Sequence, residues 1–236
     1  RSLLALRNPL RKTFPNAVSC TTRLKSGIGS NGMGFDGQVQ QVHVIGAGLA
    51  GLSVVYNLMI SKHPFRIKLY DQYEPGMGGA SNAATLMHMF TPSGKIIYKG
   101  EEGLECSLQM IDFATRSANS DGSDDHDISE LAKAISVTRL CFTDKSYQNW
   151  KSSAESYPEW IEQQVIDPAE FALDDQVDKP IASFLIKKAY AVETTKYLQS
   201  LWRTVQEKAH SFNCEVEYSK VNVKYITDIR DDPGDI

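Results

Sequence analysis

The spacing of apolar side chains changes period several times along the chain, and each change marks an element. Val42, Val44 and Ile45 form a short apolar run that predicts a strand running straight into a glycine-rich turn. Leu52, Val55, Leu58 and Met59 then recur at helical spacing, so a helix is expected from Leu49 to about Ser61, stopped by Pro64. Arg66–Tyr70 reads as a second strand ending at Asp71. Leu104, Leu108, Ile111, Phe113 and Ala114 predict an amphipathic helix from about Glu101 to Arg116, and Ser136–Thr143 reads as a strand. Ser146–Gln164 is expected to be helix or loop broken at Pro158. Ala189–Thr195 leads into a helix from Lys196 to about His210, whose apolar face is Tyr197, Leu198, Leu201, Trp202 and Val205. Glu215–Ile229 reads as a last strand.

Strand, glycine turn, helix and strand in that order predict an α/β fold of Rossmann-like type for residues 41–127. Residues 128–190 lack that rhythm and are expected to form part of an α+β substrate domain, with 191–236 returning to the first domain. The turn spells Gly46-Ala47-Gly48-Leu49-Ala50-Gly51, the dinucleotide fingerprint. Gly46 permits the tight turn, Gly48 lets the backbone approach a pyrophosphate, and Gly51 brings helix and strand close. Leu49 and Ala50 open the helix, where phosphates rest on free N–H groups at the positive end of its dipole. Asp71 follows Gly51 by twenty residues, where a carboxylate meets the adenosine ribose hydroxyls. An ordinary strand-end acid is the bland reading of Asp71, and the ordered context outweighs it. Tyr73 to Ala84 adds a second glycine-rich and small-residue loop after that acid, including Gly79, Ala80, Ser81 and Ala84.

These features together resemble FAD-dependent oxidoreductases of the D-amino-acid oxidase and glycine oxidase superfamily. The residues carrying the likeness are the fingerprint, Asp71, and Gly79-Ala80-Ser81-Asn82-Ala83-Ala84 followed by Leu86-Met87-His88. Phe90-Thr91-Pro92-Ser93-Gly94-Lys95 to Gly100-Glu101-Glu102-Gly103 looks most like a plant and cyanobacterial branch. That branch is similar to the FAD domain of the bacterial enzyme that makes 5-methylaminomethyl-2-thiouridine in tRNA. The resemblance covers residues 41 to 118 well and the rest in patches. It implies FAD as cofactor, Gly46, Gly48 and Gly51 facing the pyrophosphate, Asp71 holding the ribose, and Ala80, Ser81 and Ala84 near the flavin. Thr85 departs from it, standing where family members often have glycine, so its side chain threatens to crowd the flavin. Related enzymes also continue well beyond Ile236, so the chain is expected to be truncated there.

Composition changes the picture mainly at the start of the chain. The 236 residues are 42% hydrophobic and 23% charged, ordinary for a globular protein. The first thirty-five hold Arg1, Arg7, Arg11, Lys12, Arg23 and Lys25 with no acid before Asp36, alongside many Ser, Thr and Asn. That is transit-peptide composition, so residues 1–40 are expected to be a disordered leader to the chloroplast, with the mitochondrion as alternative and an untargeted basic tail as the plainer reading. Arg in place of Met at the first position suggests a beginning not included. The whole chain is −4, and setting aside those six positive charges leaves the remainder at −10, which argues against bulk nucleic-acid binding. No run is long and apolar enough to span a bilayer. Cys20, Cys106, Cys141 and Cys214 show no paired motif, so buried free thiols are expected rather than zinc or a redox pair. The acids of residues 119–127 lack the spacing of a calcium loop, and no metal is expected.

No catalytic residue can be assigned. His88 titrates in the right range to carry a proton, yet beside Met87, Met89 and Phe90 it reads more simply as a hydrogen-bonded core residue. Lys95 and Lys99 read as solvated rather than phosphate-binding. Tyr147, Trp150, Tyr157 and Trp160 suit a substrate-facing surface or, more simply, a core. The expected function is flavin-dependent oxidation of a C–N bond of an amino acid or secondary amine, a small-molecule substrate, by hydride transfer to flavin N5, the substrate class following from the resemblance alone. The alternatives are an NAD-dependent dehydrogenase, since both cofactors share the ADP half, and a truncated nucleotide-binding domain without activity. A tRNA-modifying role is a further possibility, which the acidic body disfavours.

Overall fold

A computed structural model describes residues 39–61, 63–79, 85–118, 128–165 and 179–222. All lie in one compact unit, Phe35–Ile236. Their elements are β1 (Gln40–Ile45), α1 (Leu49–Ile60), β2 (Phe65–Asp71), β3 (Thr85–Met87), α2 (Gly100–Ala118), β4 (Ala132–Cys141), α3 (Asp144–Ser156), β5 (Ile161–Gln164), β6 (Ala182–Val192), α4 (Thr194–Lys208) and β7 (Cys214–Lys220).

Two sheets result. The first is parallel, in the order β1-β2-β7, with Gln40 opposite Phe65 and Phe65 opposite Cys214. Its middle strand buries Phe65, Ile67, Lys68, Leu69 and Tyr70, a near-continuous run as expected when both faces are covered. Helices α1, α2 and α4 supply the cover: Leu52, Val55 and Met59 from α1, Met110, Ile111 and Ala114 from α2, and Tyr197, Leu198, Leu201 and Val205 from α4 share one core with the strands. The second sheet is antiparallel, with β6 between β4 on one side and β3 and β5 on the other. Its core gathers Met89, Phe90, Leu104, Cys141, Trp150, Phe184 and Ile186.

The sheets draw on the chain discontinuously. β3, from the stretch assigned above to residues 41–127, pairs with β6 in the second sheet, while α2 from the same stretch packs on α4. Four elements differ from the expectations. β4 starts at Ala132 rather than Ser136, because its pairing with β6 extends to Ala132–Val192 across a bulge between Ile135 and Val137 that breaks the alternation. The Ser146–Gln164 segment is a helix only to Ser156. Thr143 caps that helix by accepting from Ser146 N at 3.2 Å, and the segment closes as strand β5, anchored by buried Ile161. Helix α4 stops at Lys208, after which a 3-10 turn over Ala209–Phe212 ends at Asn213 in the left-handed conformation. The last strand stops at Lys220 instead of Ile229, and residues 223–236 lie outside those described.

The aromatic residues of this region pack a core. Trp150 stacks on Phe184 with centroids 6.2 Å apart and lies 5.9 Å from Phe90. Cys141 and Cys214 are buried free thiols and Cys106 is partly exposed. Cys20 and the 119–127 loop are outside the described residues. Among the described residues no helix is long and apolar enough to cross a membrane.

Candidate nucleotide site

The end of β1, the turn after it and the end of β2 are tied into one structure. Gly46 has φ +96° and donates its N–H to Tyr70 O at 2.7 Å. Ala47, buried, donates its N–H to Asp71 Oδ2 at 2.7 Å and accepts from Gly76 N at 2.8 Å. Asp71 Oδ1 accepts from Tyr73 N at 2.9 Å. A methyl group on Gly51 would lie 1.7 Å from Gly46 O, so only glycine lets α1 begin this close to the strand. Beside Gly48 a Cβ would meet nothing within 4 Å, leaving that backbone open to a ligand.

The start of α1 favours an anion. Gly48 caps it with no side-chain hydrogen bond, the first turn holds no acid, and Leu49 and Ala50 are exposed there. Its N-terminal partial charge is therefore uncompensated by this helix's own side chains. The Asp71 carboxylate uses one acceptor position on each oxygen for backbone N–H groups, and an ionised carboxylate offers about four, so hydroxyl donors can still be received. Tyr218 Oη donates to Tyr73 O at 2.5 Å, and Lys220 Nζ pairs with Glu74 Oε1 at 2.9 Å, tethering the loop after Asp71 to β7.

The structure thus brings Gly46, Gly48, Leu49, Ala50, Gly51 and Asp71 together at one turn. Gly79 is exposed with open space around it. Ala80, Ser81 and Ala84 lie outside the described residues. The Thr85 hydroxyl is engaged, 2.7 Å from Thr194 Oγ1 at the start of α4. Val221, just past β7, donates its N–H to Asp71 O at 2.8 Å. Lys95 makes no ion pair among the described residues, whereas Lys99, in the left-handed region at φ 53°, lies 3.4 Å from Glu102.

His88 is half-buried. Its Nδ1 accepts from Phe90 N at 3.1 Å, and Arg139 Nη2 lies 3.5 Å from its Nε2. Burial, and then the Arg139 charge, hold its pKa below the ordinary imidazole value despite the opposing hydrogen bond. Because the folded pKa is depressed, the unfolded chain binds more protons between the two values. This contribution is complete above about pH 6.5 and lost as pH falls through the folded pKa. His88→Gln is therefore expected to flatten the dependence of urea-unfolding stability on pH below neutrality. An unchanged slope would remove His88 as its source. Arg139 was not singled out as a site residue; its signal is a cation in the inward series Val137, Arg139, Cys141.

Residues 41–228 match the family described as DAO, FAD dependent oxidoreductase. No curated protein matches the chain. Similar solved structures include L-amino acid deaminase from Proteus myxofaciens, at 12% identity and TM-score 0.49, covering 81% of this chain and 40% of that one. L-proline dehydrogenase from P. horikoshii has 12% identity and TM-score 0.48, covering 79% and 46%. Glycine oxidase from Geobacillus kaustophilus has 13% identity and TM-score 0.45, covering 76% and 47%. The chain thus spans less than half the length of these structures. The family match selects FAD over a nicotinamide cofactor, and the open Gly48, the bare end of α1 and the Asp71 carboxylate fit its ADP half.

Proposed function

The chain belongs to the DAO family of FAD dependent oxidoreductases, and we propose that the protein oxidises a C–N bond of an amino acid or a secondary amine. The observation that supports the cofactor's place is the closed turn: a strand and helix in contact through Gly51, with the Asp71 carboxylate fixed on Ala47 N. Gly46, Gly48, Leu49 and Ala50 would hold the pyrophosphate through their backbone, and Asp71 would receive the ribose hydroxyls. Gly79, Ala80, Ser81 and Ala84 would pass near the flavin end. Bound FAD supplies the capacity to accept a hydride from a carbon bearing an amine. The protein's part is to orient the substrate and exclude competing reactions. The amine class rests on the family resemblance.

The test is anaerobic mixing of the FAD-loaded full-length protein with amino acids, secondary amines and the matching 2-hydroxy acids. Bleaching of the flavin's visible absorbance by amines alone is expected. Bleaching by hydroxy acids alone would overturn the C–N assignment. Asp71→Ala is expected to weaken FAD retention about tenfold or more, as loss of charge-assisted hydrogen bonds implies. Equilibrium dialysis checks it, and unaltered affinity would contradict the ribose role. Delivery to the chloroplast, supported by the composition of the first thirty-five residues alone, is tested by fusing residues 1–40 to a fluorescent protein.

A further inference from the structure

Met77 sits where the loop after Asp71 changes character. Up to Gly76 that loop is fixed: Pro75 and Gly76 are buried, Gly76 donates its N–H to Ala47 O at 2.8 Å, and a Cβ on Gly76 would come within 2.7 Å of Leu198 Cβ on α4. Beyond Met77, a Cβ on Gly78 or Gly79 would meet nothing within 4 Å. The Met77 side chain spans the change, its Sδ accepting from Gln199 Nε2 on α4 at 3.1 Å.

A thioether is a weak acceptor, so this contact holds the loop loosely. It also lies at the surface, with Met77 47% exposed and Gln199 exposed beside it. The other described methionines are sheltered: Met59, Met89 and Met110 are 0%, 1% and 6% exposed, and Met87 is half-buried. An oxidant in solution therefore meets Met77 first among them. Oxidation to the sulfoxide replaces the weak acceptor with a polar oxygen, on an atom that already faces an amide donor.

We propose that Met77 is a sulfoxidation site, and that its sulfoxide, held by Gln199, latches the Gly78–Gly79 segment onto α4. The oxidant is a hydroperoxide such as hydrogen peroxide. A sulfur lone pair attacks one peroxide oxygen, and the S–O bond forms as the O–O bond breaks. The proton on the transferred oxygen passes to the departing hydroxide, which leaves as water. Sulfur gives up two electrons and the peroxide receives them. The sulfoxide oxygen then accepts the Gln199 N–H, the exposed glutamine side chain adjusting to the longer reach. Sulfoxide reductases restore the thioether, so the latch is reversible. Its consequence for FAD rests on the reading that the small-residue loop from Gly79 onward passes the flavin: a latched loop releases FAD more slowly. The latch itself does not depend on that reading.

The experiment exposes the FAD-loaded full-length protein to limiting hydrogen peroxide and maps methionine oxidation by peptide mass spectrometry. Met77 is expected to be oxidised ahead of Met59, Met87, Met89 and Met110, and earlier oxidation of Met87 overturns the site. Deuterium uptake is then followed in the peptide holding Gly78 and Gly79. Uptake is expected to slow on oxidation, and to be slow without peroxide in Met77→Gln, whose side-chain carbonyl stands in for the sulfoxide oxygen. Met77→Leu and Gln199→Leu are expected to show no change on treatment. Unchanged uptake in the oxidised wild type, or an equal response in Gln199→Leu, overturns the latch. FAD release is expected to slow about fivefold on oxidation, the weight of one hydrogen bond, and to recover after methionine sulfoxide reductase. Slowed uptake with unchanged FAD release upholds the latch and overturns the loop's placement at the flavin.

Discussion

Gly51→Ala is expected to yield a folded but colourless protein. The added Cβ would lie 1.7 Å from Gly46 O and 2.9 Å from Gly46 C, and both are backbone atoms that no rotamer change can move. Relief requires the start of α1 to withdraw from the end of β1. That withdrawal displaces Gly48, Leu49 and Ala50, whose backbone groups would receive the pyrophosphate, and strains the Ala47 N–Asp71 contact at 2.7 Å. An affinity loss of about 100-fold or more is expected, equivalent to ~2.7 kcal/mol. The check pairs the visible flavin spectrum with circular dichroism, which separates a lost cofactor from a lost fold. A variant that stays yellow with unchanged affinity contradicts the close approach.

Trp150→Ala is expected to produce the largest loss of stability away from that turn. Trp150 is 1% exposed, stacks on Phe184, meets Phe90, and closes over the Thr91–Gly94 turn so tightly that a Cβ on Gly94 would reach its ring at 2.8 Å. Truncation leaves a cavity between α3 and the second sheet and frees the turn held by Ser153 Oγ on Gly94 O at 2.5 Å. Phe or Trp to Ala in a core costs about 3–5 kcal/mol, and at roughly 2–4 °C per kcal/mol a fall near 10 °C is expected. Trp150→Phe, which keeps a ring in the stack, should recover much of it. Urea titration measures both, and a loss below ~1 kcal/mol for alanine would mean the site collapses around the gap.

The first half of the fold was readable because its signals agree with one another. The apolar run at Val42–Ile45, three glycines, the helical spacing from Leu52 and the acid at Asp71 each specify the same unit, and the structure joins them by direct hydrogen bonds. The second half was harder for physical reasons. Strand β5 presents only Ile161 to the core in four residues, too short for alternation to register. The bulge in β4 shifts its inward series midway, hiding the strand's first four residues. The contact of the Thr85 hydroxyl with Thr194, more than a hundred positions away, is likewise not visible in the sequence. The convergence of His88 and Arg139 is of the same kind: it depends on a sheet that pairs β3 and β4 with opposite edges of β6.

The pairing of β2 with β7 sets Phe65 against Cys214, with the entire second sheet encoded between them. During synthesis, therefore, the nucleotide half waits. A ribosome must finish β3 to α4 before β7, the second neighbour of β2, exists, whereas β4, α3, β5 and β6 can begin pairing earlier. Contacts of such long sequence separation form slowly, and the unpaired side of β2 stays open in the interval. Assembly is thus expected to run from the inside of the gene outwards, with the second sheet acting as the platform on which the first is completed.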